Sequence, residues 1–116
     1  MSFSTRFDRL DAPPAQVIYL SGRVDSTAAA ILDEALREGL SRSDAPLLVD
    51  FAGIDYISSM GLRSVLMAAK RARQQTQRLI LTGLQPHVRE VFEISGFLSI
   101  LEVAPSFDQA QSLLAD

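Results

Sequence analysis

Length, composition and charge already exclude several classes of protein. The 116 residues, of which 47% are hydrophobic and 22% charged, suit a single folded domain over residues 1–116 and exclude a disordered or collagen-like chain. Eleven lysine and arginine residues against 14 aspartate and glutamate residues give a net charge of -3. This is the wrong sign for a protein that binds nucleic acid through phosphate contacts, so no nucleic-acid partner is expected.

The absence or scarcity of certain residue types excludes further kinds of site. Because the chain has no cysteine, we expect no disulfide or thiolate catalysis and a cytoplasmic location. The single histidine, His87, and the lack of nucleotide-binding glycine motifs predict no metal, no cofactor and no small-molecule substrate. No stretch approaches the roughly 18 apolar residues of a membrane span, and no apolar export segment is visible, so no membrane association is expected.

Hydrophobic spacing predicts five strands. Apolar and polar residues alternate from Phe3 to Asp8, which is typical of a strand at a sheet edge. The chain is then expected to turn over Asp11–Pro14. Four further short strands are predicted, at Val17–Leu20, Leu47–Phe51, Leu79–Leu81 and Ile100–Val103.

Four helices are predicted between and after these strands. Apolar residues at helical spacing indicate the first over Ala28–Leu40 and the second with an inward face over Leu62–Ala69. Pro86 is expected to open the third helix and Gly96 to stop it. A capping box over Ser106–Gln109 predicts the fourth.

Single helices between strands indicate right-handed crossovers and parallel strands. We therefore predict an α/β fold, with about four helices and a sheet of about five mostly parallel strands beginning at an antiparallel N-terminal edge strand. The loops Ser21–Ser26, Ala52–Ser59 and Thr82–Gln85 are expected at the carboxyl edge, where open α/β sheets place binding sites.

Two adjacent serines, Ser58 and Ser59, stand at the predicted start of the second helix. A serine there commonly caps the free N–H groups, but a cap needs only one of them. A hydroxyl at this place is also well positioned for phosphorylation, since a phosphate would meet unpaired N–H groups and the positive end of the helix dipole. The position of the two serines at the helix start does not by itself decide between capping and a functional role.

Three segments carry a family resemblance: Leu20–Asp25 with its G-x-[LIV]-D pattern, Asp50–Leu62 with a strand ending in Asp and an S-S-x-G-L turn, and Leu84–Phe97 with a P-x-V and a terminal S-G-F. In this order they resemble the STAS domain family of bacterial anti-sigma-factor antagonists. The resemblance extends over nearly the whole chain and implies a STAS-like fold.

The resemblance implies a partner-switching protein and not an enzyme. In this family the unphosphorylated antagonist binds a kinase-type anti-sigma factor, and phosphorylation of a serine by that kinase releases it. A serine phosphatase is the expected further partner. The acceptor serine, placed two residues before Gly61, corresponds to Ser59. Antagonists often have Asp at the preceding position, whereas this chain has a second hydroxyl there, so Ser58 is the second candidate.

A docking surface is expected around this serine. Its expected partner-binding residues are Asp25, Ser58, Met60, Gly61, Arg63, Ser64 and Met67. Arg63 and Ser64 should be exposed, whereas Met67 either contacts a partner or widens the buried stripe of the helix, and burial is favoured. Asp25 either contacts the kinase, or orients the acceptor hydroxyl, or caps the first helix.

Two alternatives compete with the switch. The first is a constitutive STAS docking module, part of a stress-signalling scaffold or of a lipid-transport ATPase, in which Ser59 is a helix cap. The second is a small serine hydrolase with Ser59 as nucleophile and His87 as base. Ile57 occupies the place of the first glycine in G-x-S-x-G, which argues against the hydrolase.

Overall fold

The computed structural model describes residues 3–115, which form a five-stranded sheet with helices on both faces. The strands are β1 (Ser4–Asp11), β2 (Pro14–Val24), β3 (Leu47–Ile57), β4 (Leu79–Thr82) and β5 (Glu102–Ala104). The helices are α1 (Ser26–Ser41), α2 (Ser59–Gln74), α3 (Pro86–Ile94) and α4 (Phe107–Ala115), with a short 3₁₀ helix at Phe97–Ile100.

The strands lie in the order β1-β2-β3-β4-β5, so neighbours in sequence are neighbours in the sheet. β1 pairs with β2 in antiparallel fashion, and each later pair is parallel. The predicted α/β class, with its antiparallel N-terminal edge strand, is confirmed. This topology brings the carboxyl ends of β2 and β3 side by side, where α1 and α2 begin.

Successive residues of the central strands face opposite sides of the sheet and so enter two cores. The larger core, under α1, α2 and α3, contains Phe51 and Phe92, whose rings meet edge to face with centroids 6.1 Å apart. The smaller core lies under α4 and includes Leu48 and Ile80. The consecutive residues Leu47 and Leu48 of β3 illustrate the alternation, since Leu47 enters the larger core and Leu48 enters the smaller one.

β2 and β3 are longer than the sequence predicts. The predicted loops Ser21–Ser26 and Ala52–Ser59 are largely strand, because pairing continues to Val24 and Ile57. The pairing of β2 with β3 shifts register between Tyr19 and Ser21 and again between Gly22 and Arg23, and at each shift β3 contains one extra residue. Gly22, whose φ is 105°, therefore lies opposite bulged residues of β3 and does not end β2.

The last strand begins two residues later than predicted. β5 covers Glu102–Ala104, whereas Ile100 ends the 3₁₀ helix and is 52% exposed. Gly96 adopts a left-handed conformation with φ of 77° after α3. This residue ends α3 as predicted, and the chain then winds into the 3₁₀ helix before it can rejoin the sheet.

The remaining helix boundaries agree with the sequence. Pro86 occupies the first turn of α3, and the N–H of Gln109 donates to Ser106 Oγ at 3.2 Å at the start of α4. Across residues 3–115, no helix has the length and apolar character needed to cross a membrane.

Candidate functional site

The two serines at the start of α2 have different environments. Ser58 is the N-cap residue, with extended backbone, and its Oγ accepts a hydrogen bond of 3.2 Å from the N–H of Gly61. Ser59 is the first helical residue, is exposed, and its hydroxyl has no hydrogen-bond partner within residues 3–115. The capping role therefore belongs to Ser58, and the expectation that Ser59 caps the helix in a constitutive docking module is wrong as to the cap.

The starts of α1 and α2 are held together at the carboxyl edge of the sheet. The N–H of Ser58 donates to the carbonyl oxygen of Val24 at 2.8 Å. The next residue, Asp25, caps α1, because its Oδ1 accepts from the N–H of Ala28 at 2.8 Å. The capping alternative for Asp25 is confirmed, while its contact with a kinase or with the acceptor hydroxyl stays a prediction.

Gly61 was predicted to bind a partner, but it is buried and serves the packing of α2 against the sheet. A β-carbon at this position would lie 2.6 Å from Val24 Cγ1 and 2.8 Å from Ile57 Cγ1. Both atoms belong to short side chains on strands, so neither can move away easily. The glycine lets the first turn of α2 approach the ends of β2 and β3, and this approach fixes the position of Ser59.

We expect Gly61→Ala to destabilise the protein by at least about 1 kcal/mol, because overpacking outweighs the gain in helix propensity. Gly39→Ala in α1 is the matched control. A β-carbon there would meet the flexible ends of Ile18 and Leu47 at 2.9–3.1 Å, and they can yield. Urea unfolding of both variants measures the difference, and equal free energies of unfolding would contradict the packing role of Gly61.

Ser64 was predicted to be exposed, but it is buried between the two helices. Its hydroxyl donates to the carbonyl oxygen of Ala29 at 3.1 Å and lies 3.2 Å from that of Met60. The neighbouring residues Ala28 and Ala29 are small, which lets α1 approach α2 closely enough for this contact. Ser64 therefore positions α2 against α1 and offers little surface to a partner.

A groove of about 340 Å³ runs between α1 and α2 and includes Met60, the residue after Ser59. It is lined by Ser26, Ala29, Ala30, Asp33, Arg37, Met60, Arg63, Ser64 and Met67. Met60 is 54% and Met67 42% exposed, so the expected burial of Met67 is wrong. Sequence reasoning missed the α1 wall of this groove, although a run of small residues, Thr27–Ala30, signals a close helix contact.

Arg63 supplies the one unbalanced charge among the residues that line this α1–α2 groove. On the α1 wall, Asp33 and Arg37 form an ion pair of 2.8 Å with each other. Arg63 is exposed and forms no ion pair within the described residues 3–115. It lies four residues after Ser59, on the same side of the helix. The groove thus offers two methionines and a free guanidinium next to an unbonded hydroxyl.

His87, the histidine that a hydrolase would need as its base, contacts the main chain of β3. His87 Nε2 contacts the backbone carbonyl oxygen of Asp55, near the end of β3. The ring is therefore bonded to main chain and forms no hydrogen bond with Ser59. Within residues 3–115, no three side chains of histidine, aspartate or glutamate are grouped as metal ligands.

Comparisons with known proteins identify the family of this chain. The model of the STAS domain family described as "Mlab, STAS domain" matches residues 9–102. The putative anti-sigma factor antagonist BtrV of Bordetella bronchiseptica is 48% identical over 94 residues, which cover 81% of each chain. The chain therefore belongs to the STAS domain family.

Solved structures share the fold at lower sequence identity. An anti-sigma factor antagonist from Mycobacterium paratuberculosis superimposes with a TM-score of 0.87 at 21% identity, covering 99% of this chain and 96% of the other. The phosphorylated form of the Bacillus cell fate determinant SpoIIAA gives a TM-score of 0.70 at 19% identity, covering 95% and 99%. Proteins of this family are in general binding modules without enzymatic activity.

Proposed function

We propose that this protein is an anti-sigma-factor antagonist that switches partners through phosphorylation of Ser59. When Ser59 is unmodified, the protein binds a kinase-type anti-sigma factor through the start of α2 and the α1–α2 groove. Phosphorylation by that kinase releases the complex, and a serine phosphatase restores binding. The protein itself catalyses no reaction in this scheme.

The observation that carries the proposal is the separation of roles between the two serines. Ser58 Oγ accepts the hydrogen bond that caps α2, whereas Ser59 presents an exposed hydroxyl that forms no hydrogen bond within residues 3–115. A kinase can therefore modify Ser59 without removing the cap. The 48% identity to a protein named as a putative anti-sigma factor antagonist supports the antagonist role.

A phosphate on Ser59 would act locally. The N–H groups of Ser59 and Met60 lie in the first turn of α2, where no intrahelical acceptor is available, and they favour an anion. The phosphate would also attract Arg63, four residues later, through an i,i+4 ion pair. Arg63 would then be withdrawn from an acidic partner, and the added charge of about -2 would repel that partner directly.

No large conformational change is required for this switch. Gly61 and Ser64 fix the first two turns of α2 against the sheet and α1, so the modification changes charge on a rigid surface. Coupling energies of about 1–3 kcal/mol are typical of such switches and correspond to roughly 5- to 150-fold in affinity.

We expect Ser59→Ala to remain bound to the anti-sigma factor under conditions in which the wild type is released. The test is co-purification of the tagged protein from its native cells, with identification of the bound protein by mass spectrometry. Ser58→Ala is the matched control, because it removes the cap at a cost of about 0.5–2 kcal/mol but retains the acceptor. Release of Ser59→Ala to the same extent as the wild type would contradict the proposal and favour a constitutive docking module.

A further inference from the structure

A second groove lies along the C-terminal half of α2. It runs between α2 and the 3₁₀ helix, has a volume of about 350 Å³, and is lined by Leu66, Met67, Ala69, Lys70, Arg73 and Ile100. We call this the distal groove. Its four apolar residues form the floor and walls, and two cations stand at the rim.

The distal groove is suited to a segment of another macromolecule more than to a small molecule. Pockets for small ligands enclose most of the ligand surface, whereas here Met67 and Ile100 are 42% and 52% exposed. Leu66 and Arg73 are seven residues apart on α2, a length of about 10 Å. Two turns of a partner helix can lie along this length with apolar side chains against Met67 and Ile100.

The charge of α2 indicates the chemistry of the occupant. The helix contains four cations, Arg63, Lys70, Arg71 and Arg73, and no acidic residue, although the whole chain has a net charge of -3. Neither Lys70 nor Arg73 forms an ion pair within residues 3–115.

Glu102 of β5, which lines an adjoining pocket with Arg73 and Ile100, does not neutralise these cations. Glu102 accepts a hydrogen bond of 3.2 Å from Nε of Arg78 and forms an ion pair with that guanidinium. This hydrogen bond raises the pKa of Arg78. With Glu102 bound to Arg78, the rim of the distal groove stays positive.

We propose that the distal groove binds an acidic amphipathic helical segment of a protein partner. The apolar face of that segment packs on Leu66, Met67 and Ile100, and its carboxylates pair with Lys70 and Arg73. Met67 is the one lining residue that this site shares with the α1–α2 groove of the proposed switch. Ser59 and Lys70 are eleven residues apart, about 16 Å along the helix, which exceeds the screening length of roughly 8 Å at physiological salt.

The test is a titration of the ¹⁵N-labelled full chain, followed by amide chemical shifts. The probe is a synthetic amphipathic peptide of about 18 residues, or five helical turns, with leucine on one face and glutamate on the other. We expect saturable shifts at Lys70, Arg73 and Ile100, which line the distal groove and not the α1–α2 groove. A peptide with the same leucines and lysine in place of glutamate should cause none.

Matched variants test each half of the recognition. Lys70→Glu should weaken binding of the acidic peptide at least about 10-fold, while Arg9→Glu, the same charge reversal on β1, should not. Ile100→Ser should weaken it similarly, while Ile94→Ser at a 78% exposed site should not. Ser59→Asp should bind the peptide as the wild type does, which separates this proposal from the switch.

Three results would overturn the proposal. The first is absence of shifts with the acidic peptide. The second is a set of shifts confined to the α1–α2 groove. The third is binding of phosphatidylglycerol vesicles, abolished by Lys70→Glu, without binding of the peptide, which would assign the distal groove to an anionic membrane surface.

Discussion

Ser59→Asp is expected to lower the affinity for the anti-sigma factor at least about 10-fold, which corresponds to about 1.4 kcal/mol. The new carboxylate stands beside the α1–α2 groove and can pair with Arg63, so it both repels an acidic partner and removes a cation from the surface. The measurement is titration calorimetry with the anti-sigma factor that co-purifies with the wild type.

The same substitution is expected to leave the fold intact. A negative charge in the first turn of a helix is stabilising by about 0.3–1 kcal/mol, so the midpoint of thermal unfolding should be equal to or above that of the wild type. Ser59→Asn is the matched neutral control and should bind normally. If Ser59→Asp binds as tightly as Ser59→Asn, charge at this position does not control the partner.

Phe92→Ala is expected to produce the largest loss of stability, about 3–5 kcal/mol. Phe92 is fully buried and packs edge to face on Phe51, at an interplanar angle of 87°. Truncation leaves a cavity between α3 and β3 and removes an aromatic pair. For a domain of this size, the loss corresponds to a fall of at least about 10 °C in the midpoint of thermal unfolding.

Ile94→Ala on the same helix is the matched control. Ile94 is 78% exposed, so its truncation should change the free energy of unfolding by no more than about 0.5 kcal/mol. Both variants can be compared by circular dichroism during heating. Similar midpoints for the two would mean that α3 does not pack on the sheet as described.

The order and type of the elements follow from hydrophobic spacing, whereas the lengths of β2 and β3 do not. Period-two and helical patterns are local properties of the sequence, so they identify the β1 edge strand and the face of α2 directly. Gly22 and Gly53 resemble strand ends in the sequence. In the folded sheet, Gly53 instead permits close approach to β2, since a β-carbon there would lie 2.7 Å from the carbonyl oxygen of Leu20. Only the paired strand reveals that requirement.

In the candidate site, too, some features can be predicted from the sequence and others only from the folded structure. The pair Ser58 and Ser59 is visible in the sequence, but the assignment of the cap to Ser58 depends on its Oγ accepting from Gly61. Burial of Ser64 depends on the carbonyl oxygen of Ala29, which lies 35 residues earlier. Helical spacing places Ser64 away from the predicted apolar face over Leu62–Ala69, and only the position of α1 decides that Ser64 is covered and Met67 exposed.

The proposed switch is tested most directly by locating phosphate in the protein recovered from its native cells. Trypsin should release Ser43–Arg63 as one peptide that contains both Ser58 and Ser59, and fragmentation distinguishes the two. We expect phosphate on Ser59, with an occupancy that changes between resting and stressed growth. Phosphate on Ser58 alone, or an unmodified peptide under both conditions, would contradict the proposed switch.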